Sequence, residues 1–255
     1  MPVSIAFDEG GSRAALRFSH PKGNILTREI MAGLRAACED LSRAPRLKLI
    51  TLASDGPDFS FGASVPEHAP DEIRHALPEM HALVRELLAL PAPTAAVVRG
   101  RCLGGGFELA LACDFIMAGT GSTLSLPEIA LGVLPPVASV LLPIKAGYAR
   151  AARAALTGAP HAADDWLAAG LITLTAAPDL LDAAVDTWFD RHLAPHSAIA
   201  LRHAALALRL DVQDAVGRLL PRIEQLYLSD VMATEDAVEG VRAFVEKRAP
   251  RWKDR

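Results

Sequence analysis

Two acidic residues, Glu108 and Glu128, are the side chains of this 255-residue sequence best suited to proton transfer. Glu108 comes two residues after the glycine run 104–106, and Glu128 has apolar residues on both sides. Apolar neighbours favour burial, and burial raises the pKa of a carboxyl group towards neutrality, where it can exchange protons with a substrate. On local grounds Glu128 is equally well explained as a carboxylate that caps a helix beginning after Pro127.

Backbone N–H groups near these acids are candidates for holding a negative charge. The glycine run 104–106 precedes a helical pattern, so its N–H groups are unobstructed by side chains and suit an anion or a developing oxyanion. A second small-residue loop, Phe59–Ser64, follows a predicted strand. Taken alone, the glycines are more typical of a tight turn, and the loop of a strand-to-helix connection. Together with two carboxylates, such N–H groups suit proton transfer at the carbon next to a thioester carbonyl.

Composition and motifs exclude several other kinds of chemistry. The chain has 26 Lys and Arg residues against 30 Asp and Glu residues and 5% aromatic residues, so no nucleic-acid or membrane partner is expected. Three cysteines without a CxxC spacing predict no disulfide framework, which favours a cytoplasmic location. Phosphate-loop, dinucleotide, zinc-protease and serine-hydrolase motifs are absent. His192 and His196 are separated by Pro195 and predict no metal site.

Strand and helix patterns alternate in the first half of the chain, which is typical of an α/β protein with parallel strands. The predicted strands are Arg13–Phe18, Leu47–Ala53, Thr94–Val98 and Asp114–Ala118. Helices are predicted after Thr27, over Leu77–Leu90 and over Phe107–Ala112, and a glycine-rich turn over Gly100–Gly106. From Val137 onward the pattern is almost entirely helical. The sequence therefore predicts an α/β core with a helical C-terminal extension.

Five segments, taken in order, resemble the crotonase (enoyl-CoA hydratase/isomerase) superfamily almost from end to end. They are 20–24, 59–63, 91–114, 127–135 and 243–254. Each segment is weak evidence alone, but the ordered set is specific. The resemblance implies a spiral of ββα units in which residues 1–195 form the core with the CoA-binding and catalytic site. It also implies that residues 196–255 form a helical region through which subunits assemble into trimers or hexamers.

The resemblance also assigns roles to individual residues. The N–H groups of Ala63 and Gly105 would form an oxyanion hole, Glu108 would activate water, and Glu128 would exchange a proton with substrate carbon. CoA-binding positions are implied at Lys22, Phe61, Gly62, Ser64, Phe244 and Lys247. CoA is part of the substrate, so neither a separate cofactor nor a metal is implied. Because both glutamates are present, the resemblance favours an acyl-CoA hydratase, a hydro-lyase, over other reactions of the superfamily.

Two departures from ordinary enoyl-CoA hydratases bear on the acyl group. The segment 134–140 carries two prolines and bulky residues in place of a glycine-rich stretch, and Ser64 and Val65 replace the usual acidic residue. These variants resemble members that hydrate cyclohexa-1,5-diene-1-carbonyl-CoA to 6-hydroxycyclohex-1-ene-1-carbonyl-CoA in anaerobic benzoyl-CoA degradation. The alternatives are a linear-chain hydratase or isomerase of the same fold and, with less support, a non-catalytic binding protein.

Overall fold

Nine strands in two sheets form the β-structure of the described residues, 2–68 and 70–255, in this computed structural model. They are β1 (Val3–Phe7), β2 (Arg13–Phe18), β3 (Leu49–Ser54), β4 (Thr94–Val98), β5 (Arg101–Leu103), β6 (Phe115–Gly119), β7 (Thr123–Ser125), β8 (His161–Ala162) and β9 (Leu174–Ala176). The larger sheet has the order β1-β2-β3-β4-β6-β9, and the smaller has the order β5-β7-β8. Pairing is parallel except between β1 and β2 and between β7 and β8.

Helices separate these strands and form the C-terminal part of the chain. They are α1 (Arg28–Ser42), α2 (Pro70–Ala89), α3 (Gly105–Leu111), α4 (Pro136–Ala146), α5 (Tyr148–Thr157), α6 (Ala163–Ala168), α7 (Leu181–His192), α8 (Ala198–Gln225) and α9 (Glu235–Val245). Two short 3-10 helices, Val65–His68 and Pro127–Leu131, and a π-helical segment, Leu226–Val231, complete the set. In the described part of the chain, no helix is long and apolar enough to cross a membrane.

Local patterns account for the elements that precede the site. Side chains along β2 alternate between half-buried and buried, as the sequence predicts for a strand with one face on the core. Thr27 caps α1, since its hydroxyl accepts a hydrogen bond from the Ile30 N–H at 3.3 Å. The predicted apolar face of α1 is buried. These elements form where the sequence places them because their signals are contained within a single turn or strand.

Other elements differ from the prediction. The predicted turn Gly100–Gly106 contains β5 and the beginning of α3, and the mainly helical second half contains β8 and β9. These strands have two or three residues, too few for a recognisable alternation, and form through pairing with distant segments. α2 begins at Pro70 rather than Leu77. The predicted division at residue 196 lies between α7 and α8 and stays a prediction. α8 packs against α2 and α4.

A buried arginine joins the long helix α8 to the sheet. Arg209 is 3% exposed, and its Nε donates to Asp114 Oδ1 at 2.7 Å. The same guanidinium donates to the carbonyl oxygens of Leu90 and Ala92. Asp114 in turn accepts a hydrogen bond from the Thr94 N–H at 2.7 Å. The charge is therefore paired and hydrogen-bonded, as a buried ion requires.

Replacing Arg209 with alanine is expected to lower the free energy of unfolding by about 2–3 kcal/mol, because the carbonyl oxygens of Leu90 and Ala92 and the partly exposed Asp114 would lose their shared donor. Urea denaturation followed by circular dichroism measures this change. Arg218, exposed on the same helix, provides the matched control, and Arg218→Ala should change the unfolding free energy by less than about 0.5 kcal/mol. Equal effects of the two substitutions would contradict the anchoring role of Arg209.

Candidate active site

The N–H groups of Ala63 and Gly105 lie close together where two backbone segments pack. A methyl group built on Gly105 would be 3.2 Å from the Ala63 nitrogen, and one built on Gly62 would be 3.4 Å from the Gly105 nitrogen. Neither N–H donates a hydrogen bond to another residue within 2–68 or 70–255. Gly105 is the first residue of α3, so its N–H has no acceptor within the helix. Two neighbouring N–H donors are therefore left without a partner among the described residues.

The segment that carries Ala63 is held between two other parts of the chain. The Leu103 N–H donates to the Ser60 carbonyl at 2.9 Å on one side. On the other side, the Leu26 N–H donates to the Gly62 carbonyl at 2.9 Å, and the Ser64 N–H donates to the Leu26 carbonyl at 3.2 Å. These bonds use the groups flanking the Ala63 N–H and leave that N–H itself free.

Asn24, which the sequence analysis included in a family segment without a role, fixes the loops around this segment. Its side chain is buried, and its Nδ2 donates to the carbonyl oxygens of Asp55 at 2.7 Å and Asp58 at 2.8 Å. Its Oδ1 accepts from the His20 N–H at 2.8 Å, and its carbonyl accepts from Ser60 Oγ at 2.7 Å. The left-handed backbone at Asn24, with φ of +53°, is a conformation that asparagine tolerates. An asparagine directly after a glycine was the available signal.

Both predicted acids are brought to the glycine run. Glu108 on α3 is 4% exposed, and its Oε1 accepts a hydrogen bond from the Ala138 N–H at 2.9 Å. Glu128 lies in the 3-10 helix Pro127–Leu131, and its buried Oε2 has no hydrogen-bond partner in the described part of the chain. A methyl group on Gly104 would lie 2.6 Å from Glu128 Oε1, so the carboxylate sits directly against the backbone of Gly104.

The two carboxyl groups titrate far above their ordinary range. Burial raises the pKa of Glu108 to about 7. Burial, followed by the negative charge of Glu108, raises the pKa of Glu128 to about 8. Because the groups interact, they titrate as a pair rather than independently. With both pKa values raised, the pair retains a proton near neutral pH, so that one group can accept a proton while the other donates.

Four of the predicted CoA-contact residues lie in the loops beside Ala63. The Phe61 N–H donates to the Gly23 carbonyl at 2.9 Å, next to the exposed Lys22, and the Arg101 guanidinium stacks on the Phe61 ring at 4.1 Å. Gly62 and Ser64 form the backbone bonds to Leu26 described above. Arg101, to which the sequence pattern assigned no role, also pairs with Asp58 through its guanidinium.

The remaining two predicted CoA-contact residues lie at the end of α9. Phe244 is 56% exposed, and its carbonyl accepts a hydrogen bond from the Lys247 N–H at 3.1 Å. Within the described part of the chain, neither residue forms a hydrogen bond with Glu108 or Glu128. Their predicted action on a neighbouring subunit stays a prediction.

Residues 9–255 match the family described as Enoyl-CoA hydratase/isomerase. This chain belongs to that family. The expected enzyme class, an acyl-CoA hydratase, and the substrate class, an acyl-CoA ester, agree with this family.

Relatives and solved structures cover the whole length of the chain. It is 41% identical over 254 residues to cyclohexa-1,5-dienecarbonyl-CoA hydratase of Thauera aromatica, covering 100% of this chain and 98% of that protein. It is 33% identical to 2,3-dehydroadipyl-CoA hydratase of Escherichia coli K12, covering 91% and 89%. An enoyl-CoA hydratase structure from Mycobacterium avium subsp. paratuberculosis superposes with a TM-score of 0.87 at 29% identity, covering 100% and 99%. The predicted crotonase fold is confirmed.

Replacing Gly104 with alanine is expected to displace the Glu128 carboxylate, because the new methyl group would lie 2.6 Å from Oε1. The rate of hydration of an enoyl-CoA ester should fall by at least about 100-fold. Gly121 provides the matched control, since its φ of +80° also disfavours alanine but no atom lies within 4 Å of the added methyl group. Similar activities of Gly104→Ala and Gly121→Ala would show that the close approach at Gly104 is not needed.

The Glu128→Gln variant should be stabilised at high pH relative to the natural chain. The pKa of Glu128 is raised from 4.5 to about 8, so the folded state binds the proton more tightly than the unfolded state. The ionised group therefore lowers stability progressively as pH rises between these values. Glutamine removes that loss of stability. The melting temperature of Glu128→Gln should therefore equal that of the natural chain near pH 5 and exceed it by about 3 °C or more at pH 9. Scanning calorimetry at both pH values, with the exposed Glu9→Gln as control, tests this, and a pH-independent difference would contradict it.

Proposed function

We propose that this chain hydrates cyclohexa-1,5-diene-1-carbonyl-CoA to 6-hydroxycyclohex-1-ene-1-carbonyl-CoA, in the anaerobic degradation of benzoyl-CoA in the cytoplasm. The observation that carries the chemistry is the buried Glu108–Glu128 pair beside the free N–H groups of Ala63 and Gly105. The choice of acyl group is supported by the full-length likeness to the Thauera aromatica hydratase.

Each polar group of the site has a separate task in this mechanism. The N–H groups of Ala63 and Gly105 hydrogen-bond the thioester oxygen and stabilise the negative charge that develops on it. Glu108, held by the Ala138 N–H, accepts a proton from water as the oxygen of that water bonds to carbon. Glu128, whose pKa is the higher of the two, delivers a proton to carbon. Each hydration leaves Glu108 protonated and Glu128 ionised, so one proton returns from Glu108 to Glu128 before the next turnover. Dehydration runs the same steps in reverse and needs no additional reactant.

An apolar cluster next to Glu128 favours a hydrocarbon acyl group. The buried members of this cluster are Ile73, Leu77, Val133, Tyr227, Met232 and Ala237. A dicarboxylic acyl group such as dehydroadipyl would place a second negative charge among these side chains and close to the two glutamates, at a high cost in free energy. A flat alicyclic ring carries no charge and avoids this cost. A linear-chain enoyl group is also apolar and is the second candidate, since an enoyl-CoA hydratase of Mycobacterium avium shares the fold.

The CoA part of the substrate is proposed to follow the exposed side of the same loops. Lys22, Phe61, Gly62 and Ser64 would contact the CoA chain, and Phe244 and Lys247 would reach the CoA nucleotide of a neighbouring subunit. A contact with the nucleotide of a neighbouring subunit requires assembly, which we propose to be a trimer or a pair of trimers. This assembly is supported by three large apolar side chains that are exposed on α8: Ile199, Leu208 and Leu210.

Hydration of the cyclic dienoyl-CoA and of crotonyl-CoA by the purified protein tests the proposed function. The value of kcat/KM for the cyclic substrate should exceed that for crotonyl-CoA by at least about 100-fold, which corresponds to about 2.7 kcal/mol of transition-state discrimination. Glu108→Gln and Glu128→Gln should each lower kcat by about 100-fold or more, whereas Glu9→Gln should leave kcat unchanged. The rate should rise with pH as Glu108 ionises and fall as Glu128 loses its proton.

Three results would each exclude part of this proposal. A preference for crotonyl-CoA would favour the linear-chain hydratase. Full activity of Glu128→Gln would remove the assigned proton donor. The absence of turnover with either ester, while CoA esters still bind, would favour a non-catalytic binding protein.

A further inference from the structure

Tyr227 is a buried tyrosine whose hydroxyl has no protein partner in the described part of the chain. The residue is 2% exposed, and no residue within 2–68 or 70–255 forms a hydrogen bond with its hydroxyl. A tyrosine hydroxyl without a protein partner is available to water or to a ligand, because such groups normally form a hydrogen bond. Tyr227 lies in the π-helical segment Leu226–Val231, and such segments frequently occur at functional sites.

The surroundings of Tyr227 connect it to the carboxylate pair. Its ring belongs to the apolar cluster that includes Leu77 of α2 and Val133 of the turn after Glu128. The Val133 N–H donates to the Glu128 carbonyl at 3.2 Å, so this part of the cluster is bonded directly to the turn that carries the acid. Burial, and then the negative charges of Glu128 and Glu108, raise the pKa of the Tyr227 hydroxyl. The packing therefore places Tyr227 beside the turn that carries Glu128, and its hydroxyl stays protonated, as a hydrogen-bond donor, near neutral pH.

A second contact fixes the end of the helix that carries Tyr227. His81 on α2 is fully buried, and its Nδ1 lies 2.5 Å from Oε2 of Glu224, three residues before Tyr227. This contact joins α2 to the last turn of α8, just ahead of the π-helical segment. Tyr227 is thus held by a polar contact behind it and by apolar packing around its ring, which is the support that a positioned donor requires.

The chemistry of a hydrocarbon acyl-CoA leaves one partner for this donor. The thioester oxygen is assigned to the N–H groups of Ala63 and Gly105, and the ring of a dienoyl group contains no other polar atom. We propose that the Tyr227 hydroxyl donates a hydrogen bond to the oxygen atom that the reaction adds to, or removes from, the acyl ring. This inference rests on the proposed hydratase function, and it makes Tyr227 a third polar residue that touches the reacting atoms.

Tyr227→Phe tests the inference because it removes the hydroxyl and keeps the ring in the apolar cluster. For hydration of the cyclic dienoyl-CoA, kcat should fall by about tenfold or more, and KM should stay within about twofold. The inhibition constant of the hydroxylated product should rise roughly fivefold. The inhibition constant of cyclohexanecarbonyl-CoA, which has a ring but no hydroxyl, should not change. Tyr148 is the other of the two tyrosines and is 78% exposed, so Tyr148→Phe should alter none of these values.

Two results would overturn the inference. An equal rise in both inhibition constants would show that Tyr227 supports only the shape of the pocket. Unchanged kcat and inhibition constants would show that its hydroxyl does not touch the substrate. If the natural chain hydrates neither the cyclic ester nor crotonyl-CoA, the proposed function fails separately. Calorimetric binding of cyclohexanecarbonyl-CoA and of its 2-hydroxy derivative, to the natural chain and to Tyr227→Phe, then still measures whether Tyr227 recognises the hydroxyl.

Discussion

Two carboxyl groups buried beside each other impose the constraint on which the rest of the site depends. Both pKa values are raised, first by burial and, for Glu128, also by the charge of Glu108. The fixed donor from Ala138 bonds Glu108, whereas Glu128 Oε2 has no partner among the described residues. A single negative charge on the pair is therefore most stable on Glu108, which leaves the proton on Glu128. The surrounding structure in this way divides two chemically identical side chains into an acceptor and a donor.

Close backbone packing makes this arrangement possible. A side chain on Gly106 would lie 2.6 Å from the Ser60 Cβ, and one on Gly62 would lie 2.8 Å from the Leu103 carbonyl oxygen. Only residues without side chains allow α3 to approach the loop that carries Ala63 at these distances. The same absence of side chains brings Glu128 against Gly104 and leaves two N–H groups side by side. The glycine run therefore contributes in two ways. It allows these close contacts, and it leaves backbone N–H groups that no side chain of its own covers.

Elements whose signals lie within a few neighbouring residues were predicted correctly from the sequence, and elements that depend on distant segments were not. The cap at Thr27, the buried face of α1 and the alternation along β2 depend on residues within a few positions, and the structure confirms them. The strands β5, β8 and β9 were missed because each has at most three residues and forms only by pairing with distant segments. At the candidate site, both glutamates were predicted from their neighbours, and the structure brings both to the glycine run. Asn24 and Tyr227 were not, because their contacts join segments that lie far apart in the sequence.

The sequence by itself determined which chemical groups are present, the main local helices and strands, and the ordered segments that place the chain in its family. The tertiary structure decided which of those groups converge, and therefore their protonation. Burial raises the pKa values of both Glu108 and Glu128. The N–H donor that bonds Glu108 belongs to α4, and the charge that acts on Glu128 belongs to Glu108. The energy of a charge depends on the distances to surrounding charges and dipoles and on its exclusion from water. These distances exist only after the separate segments have packed together.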